Sequence, residues 1–162
     1  MNTRLQALSD WVAEVTALTQ PDRVHWCDGS ADEYQAFVEQ MLASGDLIEL
    51  NQEHYPGCYL HRSDPRDVAR VEHLTYVCTS AQEDAGPNNH WMAPAEARKM
   101  MLGFFDGCMK GRTMYVIPYC MGPLGSQYAR YGVEITDSAY VAANMYLMTR
   151  MGKVALEQIE AA

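Results

Sequence analysis

The stretch Thr113–Thr136, TMYVIPYCMGPLGSQYARYGVEIT, decides how the chain is built. Thr113 to Ile117 and Tyr131 to Ile135 are rich in β-branched and aromatic residues, the composition that suits a pleated, half-buried strand. Between them Gly122-Pro123-Leu124-Gly125 can continue neither a strand nor a helix, so Cys120 to Gln127 is predicted to be a loop.

Helical signals flank this pair on both sides. Downstream, Asp137 or Ser138 can cap a helix whose face carries Val141, Met145, Met148 and Thr149 before Gly152, with Val154 to Ile159 extending it. Upstream, Pro94 to Phe105 has helical spacing with Ala97, Met100, Met101 and Phe104 on one face, and Gly107 and Gly111 bracket its exit. Residues 79–93 are polar, contain Gly86-Pro87-Asn88-Asn89 and are predicted to be a surface loop, preceded by a strand at Thr75-Tyr76-Val77-Cys78. Asp64-Pro65-Arg66-Asp67 offers a capping residue, a proline at the first helical position and an acid in the first turn, so a short helix is expected there.

The first third follows the same alternation. Leu5, Leu8, Trp11, Val12, Val15 and Leu18 form a helical stripe closed by Pro21, and Val24 to Trp26 is a short strand leaving through Asp28-Gly29. Ser30-Ala31-Asp32-Glu33 is a capping box that opens a helix with Tyr34, Phe37, Val38, Met41 and Leu42 on its buried face and Gly45 at its end. Leu47 to Leu50 and Cys58 to His61 suit a β-hairpin around Pro56-Gly57. Helices alternating with strands over 162 residues, without a repeat or a flexible linker, predict one α/β or α+β domain with a mixed sheet flanked by helices.

Composition narrows the function. Twelve Lys and Arg against 21 Asp and Glu give a formal charge of −9, without a basic face to neutralise phosphates, so a nucleic-acid binder is not expected. Tyr115 to Met121 and Tyr140 to Met148 are far shorter than a membrane span, and Arg4, Asp10 and Glu14 interrupt the apolar run that a secretory signal needs. No membrane or export signal is therefore expected. Five scattered cysteines, an odd number without zinc-ligand spacing, fit a reduced, cytoplasmic compartment.

Several groupings could carry chemistry. Arg62, Arg66 and Arg70 are spaced by four: they either pair with Asp64, Asp67 and Glu72 on a solvated surface or hold an anion in their guanidinium forks. Lys110 and Arg112 are expected to complement the C-terminal end of the helix before them. The Gly122 to Ser126 loop lacks the lysine and hydroxyl order of a phosphate cradle. His25, His54, His61, His73 and His90 never recur at helical ligand spacing, so no metal ligands are assigned. Nine of the 11 methionines lie between Met92 and Met151, as adaptable core or as a surface facing a missing neighbour.

Two stretches go beyond generic patterning: SDPRDVARVE, Ser63 to Glu72, and GCMKGRTMYVIPYCMGPLGS, Gly107 to Ser126. Together they resemble the GTP-dependent phosphoenolpyruvate carboxykinases. The likeness extends through QPDRVHWCDGS (Gln20 to Ser30), EDAGPNNHWM (Glu83 to Met92) and EITDSAYVAANMYLMTRMG (Glu134 to Gly152), so it runs over nearly the whole chain. His90 stands as an apparent one-residue insertion, which a loop is expected to absorb.

The resemblance implies that residues 1–162 form the N-terminal, substrate-binding lobe of such an enzyme, without its nucleotide- and metal-binding C-terminal domain. The implied reaction is decarboxylation of oxaloacetate to an enolate, which takes the γ-phosphoryl of GTP to give phosphoenolpyruvate and GDP. Arg70, which ends the Asp-Val-Ala-Arg motif, is the implied contact to the substrate carboxylate. GTP and Mn²⁺ or Mg²⁺ would be held by the remaining chain of a cytoplasmic, monomeric enzyme. No catalytic, cofactor-binding or metal-binding residue is assigned within these 162 residues, and the chain alone is expected to be inactive. The alternative is a stand-alone, non-catalytic carboxylate-binding or interaction module derived from that domain.

Overall fold

A computed structural model describes residues 3–64 and 71–161. Among these residues five α-helices pack around a four-stranded mixed sheet, with two small two-stranded sheets beside it, an α+β arrangement as expected.

The order is α1 (Gln6–Thr19), β1 (Arg23–Trp26), α2 (Ala31–Ser44), β2 (Leu47–Glu49), β3 (Tyr59–His61), β4 (Tyr76–Val77), β5 (His90–Trp91), α3 (Pro94–Phe105), β6 (Thr113–Met121), β7 (Arg130–Thr136), α4 (Ala139–Met148), β8 (Arg150–Met151) and α5 (Lys153–Ala161). Short 3₁₀ turns lie at Glu72–Leu74 and Gln82–Ala85.

β6 is the axis of the main sheet. β7 runs antiparallel along one side of it, with Pro118 opposite Val133. On the other side β1 pairs in parallel with Thr113 to Val116, and β8 pairs antiparallel with Tyr119 and Cys120. Pro118 falls in the gap between β1 and β8. Its carbonyl accepts the Gly152 N–H at 2.7 Å. In an extended strand a residue's N–H and C=O point the same way, so the hydrogen that proline lacks is missing at the seam, where no ladder bond is lost. Proline thus lets β6 continue to Met121, two residues into the predicted loop.

The sheet buries both faces. Tyr115 and Ile117 meet Phe37, Val38 and Met41 of α2 and Ala142 and Ala143 of α4. Met114 and Val116, pointing the other way, meet Val12 of α1 and Met109. This alternation follows from the period of two along a strand.

The α2 face and the β2–β3 hairpin form as the spacing predicts; of the α1 stripe Val12 is buried and Leu8 and Val15 pack beside it, whereas Trp11 is exposed. Three expectations are corrected. The last helix is not continuous: α4 ends at Met148, β8 follows, and Gly152 turns at φ 82° before α5 begins. Ala142 and Ala143 form the buried face of α4, whereas Met148 is 66% exposed, because small residues let α4 approach α2 closely. Residues 79–93 are not all loop: Asn89 turns its amide onto the Ala85 carbonyl at 2.6 Å, and His90–Trp91 then pairs in parallel with Tyr76–Val77.

Candidate functional site

Where the exit of β1 meets Gly152, the chain crosses itself. Gly29, at φ 75°, and Gly152, at φ 82°, hold backbone conformations that an L side chain resists. A Cβ on Gly152 would fall within the Asp28 carbonyl, and one on Gly29 within the Met151 carbonyl. Lys153 N–H donates to the Asp28 carbonyl at 2.9 Å, completing the contact. Only glycines allow two backbones to pass this closely.

Glu33 fixes the turn at this crossing. Ser30 Oγ accepts the Glu33 N–H at 3.1 Å, as the capping box requires. The Glu33 carboxylate reaches past Ser30, accepting the Asp28 N–H at 3.0 Å and the Gly29 N–H at 2.9 Å. The Ser30 N–H goes instead to Asp28 Oδ1 at 2.7 Å. The hydrogen bonds from Ser30 hold the Asp28 carboxyl below the usual carboxylate range. His25 Nε2 lies 2.7 Å from Glu33 Oε1, edge-on to Phe37 and Tyr115.

His25, Cys27 and Glu33 bring their donor atoms within 4.8 Å of one another, a proximity that sequence spacing does not signal. Both Glu33 oxygens, however, already accept backbone N–H groups. Burial also pushes the Cys27 thiol well above its ordinary pKa, disfavouring the thiolate that ligates metals. Mg²⁺ and Mn²⁺ prefer carboxylate, carbonyl and water oxygens, so this nitrogen, thiol and occupied carboxylate set does not fit them. The cluster is a turn lock.

A polar cavity of about 500 Å³ opens on the α2/α4 side of the sheet, lined by Gln40, Asp46, His61, Arg112, Asp137 and Tyr140 among others. Each wall comes from a different element: α2, the turn before β2, the end of β3, the start of β6 and the N-terminus of α4. His61 Nδ1 lies 2.8 Å from the Asp46 carbonyl, an acceptor only, so Nδ1 carries the proton. In the neutral ring Nε2 is then an acceptor. The imidazole stacks on Tyr140 with centroids 4.0 Å apart. Arg112 is ion-paired with Asp137 and donates to the Cys108 carbonyl at 2.6 Å. It therefore secures the turn after α3 and the approach to α4, not the helix end that the sequence suggested. Among the described residues Arg112 is the arginine that lines this cavity, and it is already paired with Asp137.

Ser63 to Glu72, the stretch that holds the predicted substrate residue, begins two residues after His61. Arg66 and Arg70 lie outside the described residues, whereas Arg62 is described and exposed. The Gly122–Ser126 loop uses its amides internally: Gly125 N–H donates to Tyr131 Oη at 3.0 Å and Ser126 N–H to the Pro123 carbonyl at 3.2 Å. It is a connection between β6 and β7 and does not fit a nucleotide phosphate.

The family described as the phosphoenolpyruvate carboxykinase N-terminal domain matches residues 10–162. A protein of Anaeromyxobacter dehalogenans (strain 2CP-C) named phosphoenolpyruvate carboxykinase [GTP] is 56% identical over 152 residues, covering 94% of this chain and 26% of that protein. Proteins of the same name from Corynebacterium kroppenstedtii and Chlamydia muridarum are 49% identical over 157 residues and 50% identical over 152 residues, with 25% of each covered. The chain thus spans about a quarter of the length of these curated relatives.

Proposed function

The chain belongs to the phosphoenolpyruvate carboxykinase N-terminal domain family, and on that premise we propose that residues 1–162 are the substrate-binding N-terminal part of a GTP-dependent phosphoenolpyruvate carboxykinase. The observation that carries the reading is the 56% identity over 94% of the chain to a relative of that name. The reaction is the decarboxylation of oxaloacetate to an enolate, which attacks the γ-phosphorus of GTP. The bond from that phosphorus to the bridging oxygen breaks, and GDP leaves.

Arg70 is the residue we assign to the substrate. Its guanidinium presents parallel N–H donors that match a carboxylate, holding the anion while the C–C bond breaks. It positions substrate and moves no proton. GTP and the divalent cation belong to the remainder of the enzyme, since neither the Gly122–Ser126 loop nor the His25, Cys27 and Glu33 cluster fits them. No step is therefore assigned to either within this chain. A reducing, cytoplasmic setting is part of the proposal and suits the five unpaired thiols. Among the described residues no helix is long and apolar enough to cross a membrane.

The test is a chimera joining this chain to the remaining three-quarters of the Anaeromyxobacter dehalogenans relative. GTP-dependent formation of phosphoenolpyruvate from oxaloacetate is expected. Arg70→Ala should lower kcat/KM about 10–100-fold, the loss of one charge-assisted contact of about 1.5–3 kcal/mol. Arg70→Lys should fall between, since it keeps charge without the fork. Unchanged kinetics in both variants would remove Arg70 from the substrate site. A folded chimera without turnover would argue for the non-catalytic module.

A further inference from the structure

Among the described residues β7 leaves one edge open. The Val116 carbonyl accepts the Cys27 N–H, and the Pro118 carbonyl accepts the Gly152 N–H. Even-numbered residues of β6 therefore direct their backbone groups toward β1 and β8, and odd-numbered ones toward β7. Tyr115, Ile117 and Tyr119 stand opposite Thr136, Glu134 and Gly132, whose N–H and C=O are thus spent on β6. Those of Tyr131, Val133 and Ile135 face outward, and among the described residues no strand pairs with them. Arg130–Thr136 contains neither lysine nor proline, the usual protections of a solvent-facing edge.

An apolar groove lies beside that edge. It encloses about 450 Å³ between α1 and α3 and is lined by Trp11, Leu18, Met101, Leu102, Phe105 and Ile135 among others. Ile135 belongs to both features, so backbone donors and acceptors adjoin an apolar trough. That pairing fits an extended segment which adds a strand to β7 and sends alternate apolar side chains into the groove.

We propose that the β7 edge and this groove receive such a segment from the polypeptide that follows the domain in its relatives. The inference rests on reading this chain as the first part of a longer enzyme. Two observations favour that occupant over other partners. The relatives are about four times the length of the matched region. α5 packs against β6 and β7, and its Glu160 accepts the Arg4 N–H at 2.7 Å and the Thr3 hydroxyl at 2.9 Å. A continuation beyond residue 162 starts alongside the same sheet.

The experiment compares amide hydrogen exchange in the 162-residue chain and in the chimera with the Anaeromyxobacter dehalogenans remainder. The amides of Gly132, Glu134 and Thr136 should be protected in both, whereas those of Tyr131, Val133 and Ile135 should slow about 100-fold in the chimera alone. Outer amides that exchange equally fast in both, with the inner ones protected, overturn the proposal. Protection of the outer amides that appears in the chain alone as its concentration rises also overturns it, giving the edge to a second copy. Of the backbone hydrogen-bonding groups Val133→Pro removes only an outward N–H, so the chain should keep its inner protection while the chimera loses protection at Tyr131 and Ile135. Tyr131→Pro provides a second comparison near the start of the strand, where it also removes the hydroxyl that accepts the Gly125 N–H. Turnover without edge protection sinks this inference and spares the functional reading. Edge protection without turnover does the reverse.

Discussion

The two faces of the main sheet are finished to different degrees. On the α2/α4 side Val38, Tyr115, Ile117 and Ala142 are almost wholly removed from water, and Phe37 packs edge-on against Tyr115. On the α1/α3 side Val12, Met109, Met114 and Val116 are buried, but α3 contributes no buried residue. Phe104 on that helix is 67% exposed. α3 is held instead at its exit, where Gly107 N–H donates to the Leu18 carbonyl at 2.8 Å and Met109 N–H to the Thr19 carbonyl at 2.9 Å. The first face follows the usual logic of apolar area removed from water, worth about 25 cal/mol per Å². The second shows that an amphipathic pattern can be satisfied at its ends by backbone bonds while its stripe stays uncovered.

The sharpest way to break the first face is at the glycine crossing. Gly152→Ala places a Cβ against the Asp28 carbonyl at a residue with φ 82°, so backbone must move. A loss of about 4 kcal/mol or more is expected, read as the shift of a urea unfolding midpoint. A midpoint within the wild-type error would show that the two turns do not need this contact. Phe37→Ala, in the core that the crossing closes, should cost about 3–5 kcal/mol in the same assay.

The turn lock comes next. Glu33→Ala leaves the Asp28 and Gly29 N–H groups without their carboxylate and should cost about 2–3 kcal/mol. Asp28 gives a smaller, pH-dependent effect. Its carboxyl, held low by Ser30, stabilises the fold when ionised. That contribution is complete above the unfolded-chain value near pH ~4 and is lost as pH falls through the folded value. Asp28→Asn should therefore flatten the stability profile below pH ~4, and an unchanged acid limb would remove Asp28 from the account.

Much of this fold was legible because its signals are local. Ser30 and Gly45 bound α2 as capping chemistry requires, and Tyr59–His61 meets Leu47–Glu49 across the predicted turn. β8 was not legible, because two residues become a strand only when β6 offers them an edge. Nor was the approach of Gly29 to Gly152, since each glycine alone signals only a turn. Of the candidate site, Arg70 came from family resemblance. The polar cavity could not be anticipated, because Gln40, His61, Arg112 and Tyr140 meet only after the sheet has assembled.

The smallest effect sharpens the contrast between the faces most directly. Phe104→Ala removes an aromatic ring from the C-terminal end of an apolar stripe, and from sequence alone it would rank with Phe37→Ala. In the structure that ring is two-thirds exposed and α3 is fastened by its exit turn, so little area returns to water when it is lost. Alanine also has the better intrinsic helix propensity, by a few tenths of a kcal/mol, which offsets part of the remaining loss. The unfolding midpoint of the 162-residue chain should therefore move by no more than about 0.5 kcal/mol equivalent. A cost approaching that of Phe37→Ala would mean that α3 is as firmly packed as α2, and the distinction between a closed and an open face would fall with it.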